Sequence, residues 1–413
     1  MTSNSNSVKR RAVFFVGGFD PKSPDEFYSR MDRENQRFEQ LWGANVARQK
    51  LESHDDDIVR CRFETAGEDY GHAWSTRTDF NFMTLDDIVL KDFARPLRVR
   101  LWRYAKAFAD YMLSGTAFKF VRHGWRFSIY FFYPALMMLA SMVVSLWVGS
   151  LTGELVDSTQ PIFSLVVAAI AFLALIVGCY HLILKRYHVL HLADLWSFSR
   201  EFLHRRRGDM DDKLDRLADR IFQAVSGDDY DEVLTIGHST GGALILDASA
   251  RVLERHPEFA DLENNLTVLT IGSTGLKIGM HPSAGWFRDR LEKLFSQTPT
   301  RWLEYQCIMD IINFYRTVPS EIMGIDKSMQ HPMVTKRVQI SALVEPEVYK
   351  RIKSNFFRVH YQFVFGNTRK YIYDFPAICF GPAKLMWRIL YGGKSRLENP
   401  FMDNLSGIEE ERK

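Results

Sequence analysis

Two uninterrupted apolar runs dominate the pattern along the chain. Phe127 to Val148 (FSIYFFYPALMMLASMVVSLWV) and Ile162 to Leu184 (IFSLVVAAIAFLALIVGCYHLIL) contain no charged residue. Each reaches the roughly 20 residues a helix needs to cross a hydrocarbon core about 30 Å thick. Core helices of soluble proteins are rarely this long and this free of charge, so the pair reads as a membrane hairpin. Pro134 inside the first run is placed to kink it. Ahead of the hairpin, Leu97, Leu101, Tyr104, Phe108 and Tyr111 recur at helical spacing, interleaved with Arg98, Arg100, Arg103 and Lys106. That pattern suits either a basic amphipathic helix on anionic lipid or a helix packed on protein with a solvated basic face.

Elsewhere the apolar runs are strand-length. Arg11–Val16 (RAVFFV), Ile58–Phe63, Val233–Ile236, Leu266–Ile271, Leu303–Met309 (LEYQCIM) and Arg337–Val344 (RVQISALV) predict strands. Asp211–Val225, Gly242–Leu253 and Glu345–Phe357 predict helices between or after them. The stretch Asp79–Val89 carries no assignable motif, and the tail from Asn399 to Lys413 reads as polar and mobile.

Charge refines this picture. Lys119, Arg122 and Arg126 precede the first run, and Lys185 and Arg186 follow the second. The connection Gly149–Pro161 has Glu154 and Asp157 but no Lys or Arg. Cytoplasmic loops carry the excess of Lys and Arg, which predicts both termini in the cytoplasm and the short loop outside. Trp125, Tyr130, Tyr133 and Trp147 sit where interfacial aromatics would. Over the whole chain 53 Lys+Arg face 50 Asp+Glu, a net charge of +3. This balance argues against nucleic acid, and basic clusters flanking apolar runs point to membrane phosphate instead. The 413 residues, 46% of them hydrophobic, suffice for a large core. Cys61, Cys179, Cys307 and Cys379 are widely spaced, so neither a zinc site nor a disulfide framework is expected. No apolar signal region follows the basic N-terminus, and no cleavable signal peptide is expected. No P-loop, dinucleotide fingerprint or metal-ligand cluster is present, so no metal or cofactor is expected.

The chemistry concentrates in Asp231–Gly242, DEVLTIGHSTGG. A short buried strand runs into Gly237-His238-Ser239-Thr240-Gly241 and then into a helical stretch with small residues early. A serine hydroxyl is a weak nucleophile until a base takes its proton. A sharp strand-to-helix turn lifts it above the sheet edge, glycines allow close approach, and the helix start supplies N–H groups for an oxyanion.

This segment resembles the nucleophile elbow of the α/β-hydrolase superfamily of lipases, esterases, thioesterases and peptidases. The resemblance covers about Lys9–Pro96 and Leu190–Pro382. It implies an α/β fold with a mostly parallel sheet flanked by helices, a Ser–His–acid triad and no cofactor. The chain then divides into a first hydrolase part (1–96), the amphipathic helix and inserted transmembrane hairpin (97–189), a second hydrolase part (190–398) and the polar tail (399–413). The superfamily order of nucleophile, acid and histidine sorts the partners. Asp310 ends the Leu303–Met309 run and is the expected acid, with Glu304, Glu321 and Asp326 as rivals. Of His256, His281, His331 and His360, only His360 follows the expected last strand, so it is the expected base. His238 points elsewhere and packs or touches substrate. The oxyanion hole is expected from Thr240 N–H with Gly18 or Phe19 N–H, in the Gly17-Gly18-Phe19-Asp20-Pro21 turn after Arg11–Val16. The expected activity is a membrane-anchored serine hydrolase cleaving an ester of lipid or lipid-like kind, partnered by the bilayer. Acyl transfer or peptidase action by the same triad, and an inactive membrane scaffold, are the alternatives.

Overall fold

The computed structural model describes residues 7–55, 57–69, 72–156, 161–263 and 265–391. The tail from Asn399, and Asp157 in the hairpin connection, lie outside the described residues. The chain forms two compact units, one made of Met1–Val89 with Arg207–Lys413 and the other of Leu90–Arg206.

The first unit is built on a mixed α/β sheet of eight strands. These are β1 (Arg10–Val16), β2 (Ala44–Asp55), β3 (Ile58–Asp69), β4 (His72–Met83), β5 (Glu232–His238), β6 (Leu266–Ile271), β7 (Arg301–Gln306) and β8 (Val334–Arg337). Their order is β2-β3-β4-β1-β5-β6-β7-β8. All pairs from β4 to β8 are parallel, and β3 runs antiparallel to both neighbours. The central strands β5 and β6 are buried along their whole length, as parallel strands covered on both faces must be. Alternate residues serve the two faces. Val13, Phe15, Leu234, Ile236, Leu269 and Ile271 join a core with Phe27 and Tyr28 of α1 (Pro24–Trp42) and with the C-terminal segment. On the other face Thr235 shares a hydrogen bond of 3.1 Å with Ser249. α1 starts at a capping box, Ser23 with Glu26, followed by Pro24, which together satisfy its first N–H groups.

One strand expectation and one helix expectation need correction. The run Arg337–Val344 is not the last strand. β8 occupies only Val334–Arg337, and Ile340–Leu343 is a short helix whose Ile340 and Leu343 enter the core. Alternation in RVQISALV carries no information about its end, and three-residue helical spacing of Ile340 and Leu343 fits the core as well. The Glu345–Phe357 stretch is likewise split, into Pro346–Ile352 and a second helix, Phe356–Tyr361. The unassigned stretch Asp79–Val89 holds the end of β4 and the start of α2 (Asp86–Phe93). The four cysteines are free.

The second unit is helical: α3 (Leu97–Leu113), α4 (Thr116–Leu155), α5 (Pro161–Cys179, continued by a π turn to Leu184) and α6 (Val189–Leu203). Two helices, Thr116–Leu155 and Pro161–Leu184, are long and apolar enough to cross a membrane. The first apolar run begins inside the protein. Phe127, Tyr130 and Phe131 are buried, with rings 5.9, 5.9 and 4.9 Å from that of Trp196 on α6. Tyr130 is therefore a core residue, not an interfacial aromatic, whereas Trp125 and Trp147 are exposed. Non-helical backbone in α4 falls at Gly124 (φ −165°, ψ 71°), while the helix continues through Pro134.

α3 packs one side on α6 and leaves another exposed. Tyr104, Ala107 and Tyr111 are buried, and Arg100 and Arg103 ion-pair with Asp194 and Glu201 of α6. Leu97, Leu101 and Trp102 stay exposed beside Arg98 and Lys106.

α4 and α5 pack through small residues. Ser141, Ser145, Gly149 and Gly153, spaced by four, are the buried row of α4 beyond Pro134. A Cβ on Gly149 would lie 3.0 Å from the Ala168 carbonyl and 3.1 Å from Phe172 Cβ. Such close backbone approach lets van der Waals contact hold helices together where lipid gives no hydrophobic drive. Gly149→Leu is expected to lower the thermal midpoint of the detergent-solubilised chain, with an overpacking cost of about 1–3 kcal/mol. Leu146→Ala, on the exposed face of the same helix, is expected to leave the midpoint within a degree or two of wild type; equal losses for both would contradict the packing.

Candidate active site

Ser239 occupies the junction between β5 and α8 (Gly241–Arg255). Its φ is +59°, a left-handed conformation that costs a non-glycine residue roughly 1–3 kcal/mol and persists only where the surroundings enforce it. Three glycines make the junction that tight. A Cβ on Gly237 would lie 2.5 Å from the Gly241 carbonyl, one on Gly241 2.1 Å from the Val16 carbonyl, and one on Gly242 2.2 Å from Ser273 Oγ. The Ser239 N–H donates to the Ile271 carbonyl of β6 (3.2 Å), and its carbonyl accepts from Thr274 N–H (3.0 Å). The residue is 7% exposed.

β1 lies beside β5 with Val16 paired to Gly237, so the turn after β1 emerges next to the serine. A Cβ on Gly18 would lie 3.3 Å from Ser239 Cβ and 3.5 Å from its Oγ. The Gly18 backbone thus abuts the hydroxyl, while Phe19 buries its ring. Thr240 precedes α8, whose first N–H groups lack intrahelical acceptors. The Gly242 and Ala243 N–H groups turn back to the Ser239 and Thr240 carbonyls.

Asp310 and His360 come together. Asp310 lies in the loop after β7 and is completely buried, and its Oδ2 is 2.7 Å from His360 Nδ1. The loop is pinned by Asn313, which donates to the Cys307 and Asp310 carbonyls (2.9 and 2.8 Å), while Asp310 Oδ1 accepts from Ile312 N–H (2.9 Å). His360 sits in the helix Phe356–Tyr361, capped by Asn355 accepting from Arg358 N–H. Its Nε2 is buried with no hydrogen-bond partner among the described residues, so a bond to Ser239 is not formed. In unliganded sites such bonds are often long and tighten only with substrate. His238 Nε2 lies 3.2 Å from the His360 carbonyl, and the two rings are 4.5 Å apart. Burial, with His360 adding to it, holds the His238 pKa well below its ordinary value, which keeps this ring neutral. Gly272, at φ +51°, makes room for the histidine: a Cβ there would lie 2.9 Å from Phe363 and 3.2 Å from His360 Cε1.

The rival acids lie in other settings. Glu304 is buried and accepts from Thr270 and Gln306 side chains (2.7 and 2.8 Å). Glu321 is exposed and Asp326 half-buried. His256 lies against Asp219 and Phe222, and His281 accepts from Ser283 N–H.

Several residues of the site had no signal in the sequence. Lys277, completely buried, donates to Thr240 Oγ1 (3.1 Å), and burial pulls its pKa down to about 7. A single lysine in GSTGLKIG reads as exposed, and only the turn back after β6 brings it under the elbow. Asp20 of the glycine turn bonds the Tyr361 hydroxyl and the Lys22 ammonium, tying that turn to the helix of His360. A pocket opens along Gly17, Gly18 and His238 and is walled by Phe15, Phe27 and Phe82. Comparison with known protein families, with curated proteins and with solved structures returns no match for this chain.

Burial raises the Glu304 pKa from 4.5 to about 7. Between these values the unfolded chain has lost the proton and the folded chain keeps it, so stability falls as pH rises through the window. The rise corresponds to roughly 3 kcal/mol. Unfolding measured from pH 4.5 to 7.5 is expected to lose that decline in Glu304→Gln; an unchanged pH slope would mean the carboxyl is not held protonated.

Proposed function

We propose that this chain is a membrane-anchored serine hydrolase of the α/β-hydrolase type, cleaving an ester-like acyl bond. One observation carries the reading. A buried imidazole, held at Nδ1 by a buried carboxylate and unpartnered at Nε2, lies against Gly272 and against His238, the residue before a serine at a left-handed strand–helix turn. A structural histidine at 3% exposure would have both ring nitrogens satisfied.

The carboxylate of Asp310 can only accept, so Nδ1 of His360 carries the proton and Nε2 presents its lone pair. His360 takes the Ser239 proton as Oγ attacks the carbonyl carbon. Asp310 stabilises the imidazolium that results. The N–H groups of Thr240 and Gly18 hold the oxyanion. His360 returns the proton to the departing alcohol, leaving an acyl-Ser239. Water, deprotonated by the same imidazole, then releases the acid. Lys277, bonded to the Thr240 hydroxyl, fixes the residue whose N–H serves the oxyanion. The helical unit is inserted between β4 and β5 and carries the two membrane-length helices. This connection keeps the sheet unit at a bilayer and favours a lipid or lipid-like ester. Both termini and the sheet unit are assigned to the cytoplasm.

A fluorophosphonate probe is expected to label the detergent-solubilised chain and to fail with Ser239→Ala; persistent labelling of that variant removes Ser239 as the nucleophile, and no labelling of the folded wild type favours a scaffold. Hydrolysis of 4-nitrophenyl esters is expected to drop about 10²–10⁴-fold in His360→Ala and Asp310→Asn. Cysteines placed at Ser150 and Thr152 are expected to react with an impermeant maleimide from the outer side in intact cells; reaction only after permeabilisation would reverse the assigned topology.

A further inference from the structure

The cavity beside Ser239 is apolar along Phe15, Phe27 and Phe82, yet Arg30 of α1 also lines it. The Arg30 guanidinium lies over three rings, 5.3 Å from Phe27 and 5.8 Å from both Tyr361 and Phe365. Among the described residues it makes no hydrogen bond and no ion pair. The carboxylates nearest it in charge, Asp20 and Glu34, are committed elsewhere. Asp20 holds Lys22 and the Tyr361 hydroxyl. Glu34 holds Arg37 (2.7 Å) and the Gly366 N–H (2.9 Å). Burial lowers the Arg30 pKa despite these carboxylates, as expected of a cation short of compensating charge. Aromatic faces attract a guanidinium, but they leave its N–H fork unsatisfied. That fork matches two oxygens of a carboxylate or phosphate. Lys22, half-buried on the same cavity and 4.7 Å over the Tyr361 ring, is already paired with Asp20, which leaves Arg30 as the cation without a counter-charge among the described residues lining it.

We propose that Arg30 binds an anionic oxygen group of the substrate, so that the ester cleaved at Ser239 carries a carboxylate or phosphate beside its short apolar part. This rests on the hydrolase reading above and names its substrate class. The cavity walls accept the apolar part, and the guanidinium fork fixes the anionic end. A neutral ester fills the same walls but gives the half-buried fork no partner while covering it from water, and a polar group so covered discriminates against an analogue lacking its complement.

The test uses two pairs of esters on the full detergent-solubilised chain. The first pair is 4-nitrophenyl butyrate against mono-4-nitrophenyl glutarate, with a carboxylate on the acyl side. The second is monobutyrylglycerol against monobutyrylglycerol phosphate, with a phosphate on the alcohol side. In at least one pair kcat/KM is expected to favour the anionic member about tenfold or more, and the favoured pair identifies the anion. In Arg30→Gln that ratio is expected to collapse towards one, and Arg30→Lys to restore part of it. Equal kcat/KM within both pairs for wild type, or a ratio unchanged in Arg30→Gln, overturns the proposal. Binding of butyl phosphate and of butyrate to Ser239→Ala, followed by calorimetry, separates the two readings. Saturable binding of either anion, absent with 1-butanol and lost in Ser239→Ala/Arg30→Gln, supports the anion site even if no ester is turned over. Absence of binding by both anions overturns it even if neutral esters are cleaved.

Discussion

The close approach of α8 to strands β1 and β5 is the constraint on which the site depends. At Gly237, Gly241 and Gly242 a single methyl group would meet backbone or side-chain atoms within 2.1–2.5 Å. Because the helix starts that near the sheet, Ser239 has no room for an ordinary right-handed or extended backbone and takes φ +59°. The same contact brings Gly18 against the serine and sets the loop after β6, with Thr274 bonded to the Ser239 carbonyl, alongside. Strain at the serine is held by the packing of three strands and one helix. No local sequence preference would sustain it.

The histidine side of the site is fixed differently, by polar contacts from an irregular segment. The described residues after β8 form only short helices, which would not hold their own position. Buried groups anchor them instead. Arg11 on β1 bonds Glu232 on β5 (2.7 Å) and donates to the carbonyls of Cys379, Gly381 and Ala383 (3.1, 2.7 and 2.8 Å), while Glu232 accepts from Leu385 N–H (2.7 Å). This buried ion pair sits at the start of β1 and β5, and every guanidinium nitrogen has an acceptor. That complete satisfaction is what makes a buried charge tolerable. His360 then reaches Asp310 across a segment whose register is set from the opposite end of the sheet.

In the helical unit the two kinds of packing are separated along α4. Its first turns bury aromatic rings around Trp196, as a soluble core does, and its later turns bury serines and glycines against α5. Leucines, valines and methionines on the remaining surface of those later turns are exposed, the pattern of a helix pair whose outer face meets an apolar medium. The changeover near Pro134 lies within what the sequence presents as one uniform apolar run.

The sequence alone determined the features written in local order. Glycine spacing around Ser239, short β-rich runs, and two charge-free stretches of membrane length each follow from what a few neighbouring residues can do. Chain order and strand ends singled out Asp310 and His360 as candidates, and the fold brings their side chains to 2.7 Å; their catalytic roles belong to the proposal. The tertiary structure decided what depends on distant partners. Arg337–Val344 alternates like a strand, yet its second half is helical because Ile340 and Leu343 find their burial in the core as a turn. Tyr130 reads as interfacial until Trp196, 66 positions later, covers it. Lys277 and Arg30 look like ordinary surface cations, and nothing adjacent to them in the chain reveals that one is buried under the elbow and the other faces a cavity. Burial and pairing are properties of the space around a side chain, and that space is filled by residues whose identity the local sequence does not contain.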